Sequence, residues 1–241
     1  MALDKTLVIG KEISQILYED EDILVCVKPR GIAAETRRIG QQDMVSLLRN
    51  YRSRKLESAY IGLVHRLDQP VEGIMVFGKN PKSTAGLSAQ LRKGVFSKKY
   101  MAVVSGKMPQ KKGHLLDYIV KDSKHNLSRI AGSDDAHAKK AELDYEIVNE
   151  LTEEDAGFQL VCITLLTGRH HQIRLQLSNA GAPIVGDVKY GSPNRPESVD
   201  KLDGGALALC AYQLQFFHPI TKKRMEYQIH PSGLAFQKFG A

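Results

Sequence analysis

Short runs of apolar, β-prone residues separated by polar turns dominate the chain. Ile16, Leu17 and Tyr18 form one run and Ile23, Leu24, Val25, Cys26 and Val27 a second, with an acidic turn at 19–22 between them, so the pattern predicts two strands. Lys28-Pro29-Arg30-Gly31 ends the second. Asp43 is placed to cap a short helix carrying Met44, Val45, Leu47 and Leu48 on one side, and the basic, polar residues 49–55 read as a loop. Residues 61–64 and 74–77 are further strand-like runs. Asn80-Pro81 starts a helix of about three turns that contains Leu87 and Leu91 and stops at Gly94.

Residues 100–105 predict another strand, whereas the polar, glycine-punctuated residues 106–133 admit one possible strand around Leu115, Tyr118, Ile119 and Val120. Leu143, Tyr145 and Ile147 alternate with Glu142, Asp144 and Glu146; with the apolar residues 158–166 across an acidic turn at 150–157, they predict a hairpin with one buried face. Residues 169–179 predict a short helix with Ile173 and Leu177 four apart and Gly181 as its stop. Residues 206–217 and 224–229 return to strands around His218-Pro219. Strands outnumber helices without alternating regularly with them. The expected fold class is therefore α+β, with a mixed, largely antiparallel central sheet flanked by short helices and loops, rather than a doubly wound α/β fold. At 241 residues and 42% hydrophobic content, one domain over residues 1–241 is expected.

Charge adds a regional feature. The net charge is +7, but residues 92–140 hold 12 Lys/Arg against 4 Asp/Glu, so the rest is close to neutral. Such a stripe suits a polyanion, although a solvated basic face has the same composition. Cys26, Cys162 and Cys210 are far apart in apolar surroundings and read as reduced core thiols. No apolar run approaches the roughly 18 residues of a membrane span and residues 1–5 lack a signal-peptide pattern, so a cytoplasmic protein is expected.

Several chemistries lack their sequence signatures. The one adjacent histidine pair, His170-His171, would point its rings about 100° apart on a helix, and no HExxH, cysteine cluster or paired-acid spacing accompanies it, so no metal is expected. Neither GxxxxGK[ST], GxGxxG nor G-x-S-x-G occurs. What remains is His65-Arg66-Leu67-Asp68, leading through the turn Gln69-Pro70 into an apolar run. Taken alone, these residues allow a held reactive carboxylate or an ordinary surface ion pair between Arg66 and Asp68.

Four ordered motifs decide between those readings. His65-Arg66-Leu67-Asp68 with Gly73 and Lys79 resembles the HRLD motif of the RluA family of RNA pseudouridine synthases. Residues 16–25 with Lys28-Pro29 and Gly31 resemble the family's opening motif, and Lys99-Tyr100-Met101-Ala102-Val103-Val104 with Gly106 resembles its K-x-Y-x-A-x-V strand. Gly168-Arg169-His170-His171-Gln172-Ile173-Arg174, then Gly181, Pro183-Ile184-Val185-Gly186-Asp187 and Tyr190-Gly191, resemble its third motif. Two departures stand out: Val71-Glu72 where a Thr-Ser or Thr-Gly pair is common, and His170 where Thr or Ser is usual.

The resemblance implies conversion of uridine to pseudouridine in structured rRNA or tRNA, with no cofactor. It makes Asp68 the catalytic carboxylate and sets Arg174 against it, while Tyr100 stacks on a flipped-out base. It implies that Arg66 helps to hold the rearranged RNA, Ile184 lines the uracil pocket, and Lys98 and Lys99 bind phosphates. The residues themselves also admit a phosphate-binding or surface Arg174, a core Tyr100, a loop-shaping Arg66 and a core Ile184. The expected partner is RNA, with no membrane and no metal, and the expected state is a monomer. Only about fifteen residues precede the first motif, too few for a separate N-terminal S4 RNA-binding domain. A non-catalytic RNA-binding or ribosome-assembly protein of the same fold is the competing reading, and a uracil-releasing glycosylase a third.

Overall fold

A computed structural model describes residues 6–9, 12–36, 38, 40–151, 157–191 and 206–240. Its contacts divide the chain into two compact units, Met1–Ser97 with Ala211–Ile229, and Lys98–Cys210 with His230–Ala241.

In the first unit, β1 (Thr6–Ile9), β2 (Glu12–Glu19), β3 (Ile23–Lys28) and β5 (Glu72–Gly78) pair antiparallel in that order, with β4 (Gly62–Leu63) also on β5. Next to β5 comes β11 (Leu209–Phe217), which pairs antiparallel with β12 (Arg224–Gln228). One sheet face buries Ile23, Val25, Ile74, Val76, Leu214 and Phe216 against Leu87 and Phe96. Leu24, Cys26, Met75 and Phe77, which alternate with them, are also fully buried. Burial on both faces explains why β3 and β5 read as continuous apolar runs rather than alternating ones.

Two helices border these strands. In α1 (Met44–Arg54), Asp43 and Ser46 form a reciprocal capping box, and Met44, Val45, Leu47 and Leu48 are buried as expected. The stretch read as a loop from residue 49 is instead helix as far as Arg54. Its basic character misled, because Arg52 is a buried packing residue that donates to the carbonyls of Tyr60 and Lys79 and to Glu57. Asn80 caps α2 (Pro81–Arg92) through a bond from the Ser83 amide. Gly62 and Gly78 let this helix approach closely, since a Cβ on either would fall about 2 Å from the Thr84 hydroxyl oxygen.

The second unit has the strand order β6 (Ser97–Ser105), β10 (Phe158–Leu165), β9 (Lys139–Glu150), β7 (Lys112–Asp122) and β8 (Leu127–Ala131), antiparallel throughout. The expected hairpin is the β9–β10 pair, although residues 152–156 of its turn lie outside the described residues. Where one strand was expected within residues 106–133, there are two, β7 and β8. Their mixed exposure hid the periodicity, and β8 lies at the end of the strand order, where polar side chains are common. Packed against β7 and β8 is α3 (Gln172–Asn179), whose Leu175 joins Ile119 and Ala141 in a small core. The predicted α+β class, with a largely antiparallel strand arrangement and few helices, is what the structure has.

Candidate active site

Beyond β4 the chain runs extended through the HRLD segment, and its side chains alternate. His65 and Leu67 are buried, at 8% and 6% exposure, whereas Arg66 is exposed and Asp68 half-buried. The Val76 amide donates to His65 Nε2 at 3.2 Å, so that nitrogen is the acceptor and the neutral ring carries its proton on Nδ1. The same ring meets Phe96 edge-on at 6.1 Å. His65 and Leu67 thus anchor the segment that presents Arg66 and Asp68.

After Asp68 the chain turns, with the Val71 amide donating to the Asp68 carbonyl at 3.0 Å. A buried cation holds this turn. Lys28, with no exposed surface, donates from Nζ to the carbonyls of Pro29 at 2.8 Å, Ile32 at 2.7 Å and Gln69 at 3.1 Å. Gly31 and Gln69 exchange two more bonds, and Arg30 pairs with Glu72 at 3.2 Å. The Glu72 departure therefore has a partner in this chain, and Val71, 2% exposed, is a core residue. Lys28 stood in the opening motif without an assigned role, and its signal was a charge closing an otherwise apolar strand. Replacing Lys28 by Met is expected to leave three carbonyls short of a donor and to cost roughly 3 kcal/mol or more. Urea denaturation checks this, and an unchanged midpoint would refute the clamp.

In the second unit, Arg174 on α3 is 4% exposed. Its Nε and Nη2 donate to the two carboxylate oxygens of Asp187 at 2.7 and 2.6 Å, a bidentate fork. Burial pushes the Asp187 carboxyl up, but the bonds and charge of Arg174 and the amides of Lys189 and Tyr190 outweigh it and hold the pKa below the usual value. The guanidinium also lies 5.2 Å from the Tyr190 ring centroid. Asp187 was quoted within the third motif but not given this partnership, which spans 13 residues of sequence.

The start of α3 is polar and crowded. Its Gln172 side chain accepts from the Arg169 amide and from the Thr167 hydroxyl. His171 adopts a left-handed backbone, φ 52° and ψ 25°, and its ring stacks on His170 at 3.7 Å. The Tyr190 hydroxyl accepts from the Ser128 amide and lies 2.8 Å from His171 Nδ1, a hydrogen bond whose donor is set by the His171 tautomer. Burial, then the charges of Arg174, His170 and Lys189, bring the His171 pKa down to about 3. The unfolded chain binds that proton near pH 6.5 and the folded one near pH 3, so this group's contribution to stability falls as pH drops through that window. Imidazole 15N spectra at pH 5 are expected to show neutral His171; an imidazolium signal would contradict the arrangement.

Tyr100 on β6 and Ile184, which bridges to Val104, are buried at 6% and 2%. Lys98 and Lys99 are half-buried on the same strand. Burial lowers the Lys98 pKa, and its Nζ would lie 3.7 Å from a Cβ added at Gly168, beside the third-motif loop. Exposed cations of the basic stripe in this unit include Lys107, Lys111, Lys121, Lys124, Arg129 and Lys139. Of the residues singled out in the sequence, Asp68 and Arg66 lie in the first unit, and Tyr100, Arg174, Ile184, Lys98 and Lys99 in the second.

Among the described residues, Asp20, Asp22 and His218 bring possible metal-ligand atoms within 4.8 Å of one another. Protein donors already engage them: Asp20 accepts from the Asp22 and Ile23 amides, the Tyr18 hydroxyl and His218, and Asp22 from Asn80 and Ser83. Hydrogen bonding accounts for the cluster without an ion.

Known proteins resemble this chain in sequence and fold. A ribosomal large subunit pseudouridine synthase C from Buchnera aphidicola is 32% identical over 213 residues, covering 88% of this chain and 65% of that protein. A ribosomal large subunit pseudouridine synthase D from Zymomonas mobilis is 31% identical over 221 residues, covering 88% of this chain and 68% of that protein. The chain thus spans about two thirds of the length of these curated relatives. The solved structure of human RNA pseudouridylate synthase domain containing 4 superposes with a TM-score of 0.74 at 21% identity, covering 93% of this chain and 91% of that one, which shows the common fold. The family model for RNA pseudouridylate synthase matches residues 22–179, a span that holds the anchored Asp68 segment, Tyr100 and Arg174. The chain therefore belongs to the RluA-type RNA pseudouridylate synthase family.

Proposed function

We propose that the chain isomerises uridine to pseudouridine in structured rRNA or tRNA, the whole chain acting as one catalytic domain. Family membership carries this reading: the match includes Asp68, and the relatives described are named ribosomal large subunit pseudouridine synthases. In the reaction the uridine N1–C1′ bond breaks and C1′ joins C5; the C5 hydrogen leaves as a proton and N1 gains one. Neither electrons nor water are consumed, so the proposal needs no cofactor and no metal.

Asp68 supplies the carboxylate that attacks covalently or stabilises the departing sugar, and a backbone anchored on both sides of it supports that role. Tyr100 stacks on the flipped base and Arg174 provides positive charge, while Arg66, Ile184, Lys98 and Lys99 contact substrate. Among the described residues no helix is long and apolar enough to cross a membrane. The proposed setting is the cytoplasm, with the protein as a monomer. Incubating the purified protein with rRNA and tRNA and mapping pseudouridine tests the reading. New sites in one RNA are expected. Binding without modification would establish the non-catalytic alternative, and free uracil would establish a glycosylase.

A further inference from the structure

One feature of the second unit lies outside the proposed chemistry. The β7–β8 hairpin turns at residues 123–126, all exposed, and carries Lys121, Lys124, His125 and Arg129 on its surface. A strand at the end of the order is held on one side only, so such a hairpin would ordinarily be free to flex. Here it is tied to the start of α3. His170 Nε2 lies 3.1 Å from the side-chain oxygen of Asn126 in the turn. Ser128 on β8, 6% exposed, donates from Oγ to the His170 carbonyl at 2.9 Å and accepts from His170 Nδ1 at 2.9 Å. A carbonyl cannot donate and the hydroxyl has one proton, so Nδ1 donates to Ser128; bonding the Asn126 oxygen as well takes a proton on Nε2, that is, the doubly protonated ring.

From Ser128 the connection reaches Arg174. The Ser128 amide donates to the Tyr190 hydroxyl at 2.7 Å, and the Tyr190 ring lies beside the guanidinium. A parallel connection starts at the same turn: Lys189 Nζ donates to the Asn126 carbonyl at 2.6 Å, and the Lys189 amide donates to Asp187, which holds Arg174. Two short chains of bonds therefore join an exposed cationic turn to one buried arginine, all within one compact unit. The His170 departure falls inside the first of them.

We propose that the β7–β8 hairpin is an RNA-contacting arm whose docking on phosphates fixes Arg174 through Asn126, His170, Ser128 and Tyr190, making Ser128 and Tyr190 positioning residues. The inference rests on the proposed pseudouridine synthesis. Its partner is an RNA backbone, because clustered lysines and arginine on a polar turn suit phosphates and the turn offers no apolar anchor.

The test uses the full chain and the RNA found by mapping. Ser128→Ala, Tyr190→Phe and their combination are compared in single-turnover reactions at saturating RNA, with the Kd measured separately. Each single change is expected to slow the saturated rate about tenfold and to leave the Kd within about twofold. The combination should be no slower than either alone, because the two residues act in one chain. Tyr190→Phe keeps the ring beside Arg174, so it remains informative if Ser128→Ala is poorly folded. A Lys121→Ala/Lys124→Ala protein should bind about fivefold more weakly, with a shallower salt dependence. Wild-type saturated rates in the variants, or losses that multiply in the combination, would overturn the inference alone. Absence of product from the wild type would overturn the parent reading and this one together.

Discussion

Asp68→Asn is expected to abolish pseudouridine formation, by about a thousandfold or more, while leaving the fold intact. The substitution is nearly isosteric and keeps the anchors on either side in place: His65 and Leu67 point inward, and Lys28 clamps the turn by backbone carbonyls. The amide retains size and polarity but loses the negative charge and the nucleophilic oxygen. RNA labelled with tritium at uridine C5 gives the readout, since joining C1′ to C5 expels that hydrogen. Release by Asp68→Asn at a rate within tenfold of wild type would remove Asp68 from the mechanism. Loss of RNA binding in parallel would assign it to binding. Thermal unfolding at the wild-type midpoint separates both from collapse of the loop, which Lys28→Met is expected to cause.

What was legible in the sequence follows from how local each signal is. Doubly buried strands such as β3 and β5 announce themselves as apolar runs, and Asp43 and Asn80 mark helix starts because capping is decided within three residues. The end of α1 and the existence of β8 were not legible. Arg52 is helical and buried because the carbonyls of Tyr60 and Lys79 need donors, and Ser128 is buried because His170 and Tyr190, far along the chain, cover it. Long-range partners turn polar residues inward, and local pattern counts them as loop. The candidate residues divide in the same way. The motifs singled out Asp68 and Arg174, but the groups around them, Lys28 at the Asp68 turn and Asp187 and Tyr190 at Arg174, are defined by contacts that spacing does not reveal.

The Arg174–Asp187 pair carries the second large effect. Arg174→Met leaves the Asp187 carboxylate, with no exposed side-chain surface, facing only the Lys189 and Tyr190 amides, and is expected to destabilise the protein by about 3–5 kcal/mol. Arg174→Lys keeps a charge but cannot form the fork, so a smaller loss of about 1–3 kcal/mol is expected. Acid dependence supplies an independent sign. The folded pKa of Asp187 lies below its unfolded value near 3.8, so the stabilisation is fully present above that value and disappears as pH falls through the folded pKa. Arg174→Met should therefore lose stability most at neutral pH, and its deficit relative to wild type should shrink as pH drops below 4. Urea midpoints of wild type and variant from pH 7 to pH 3 measure both predictions. A deficit independent of pH would mean that Arg174 stabilises by packing on Tyr190, while equal midpoints at pH 7 would show that the fork contributes nothing to the fold and is present to set the arginine's geometry alone.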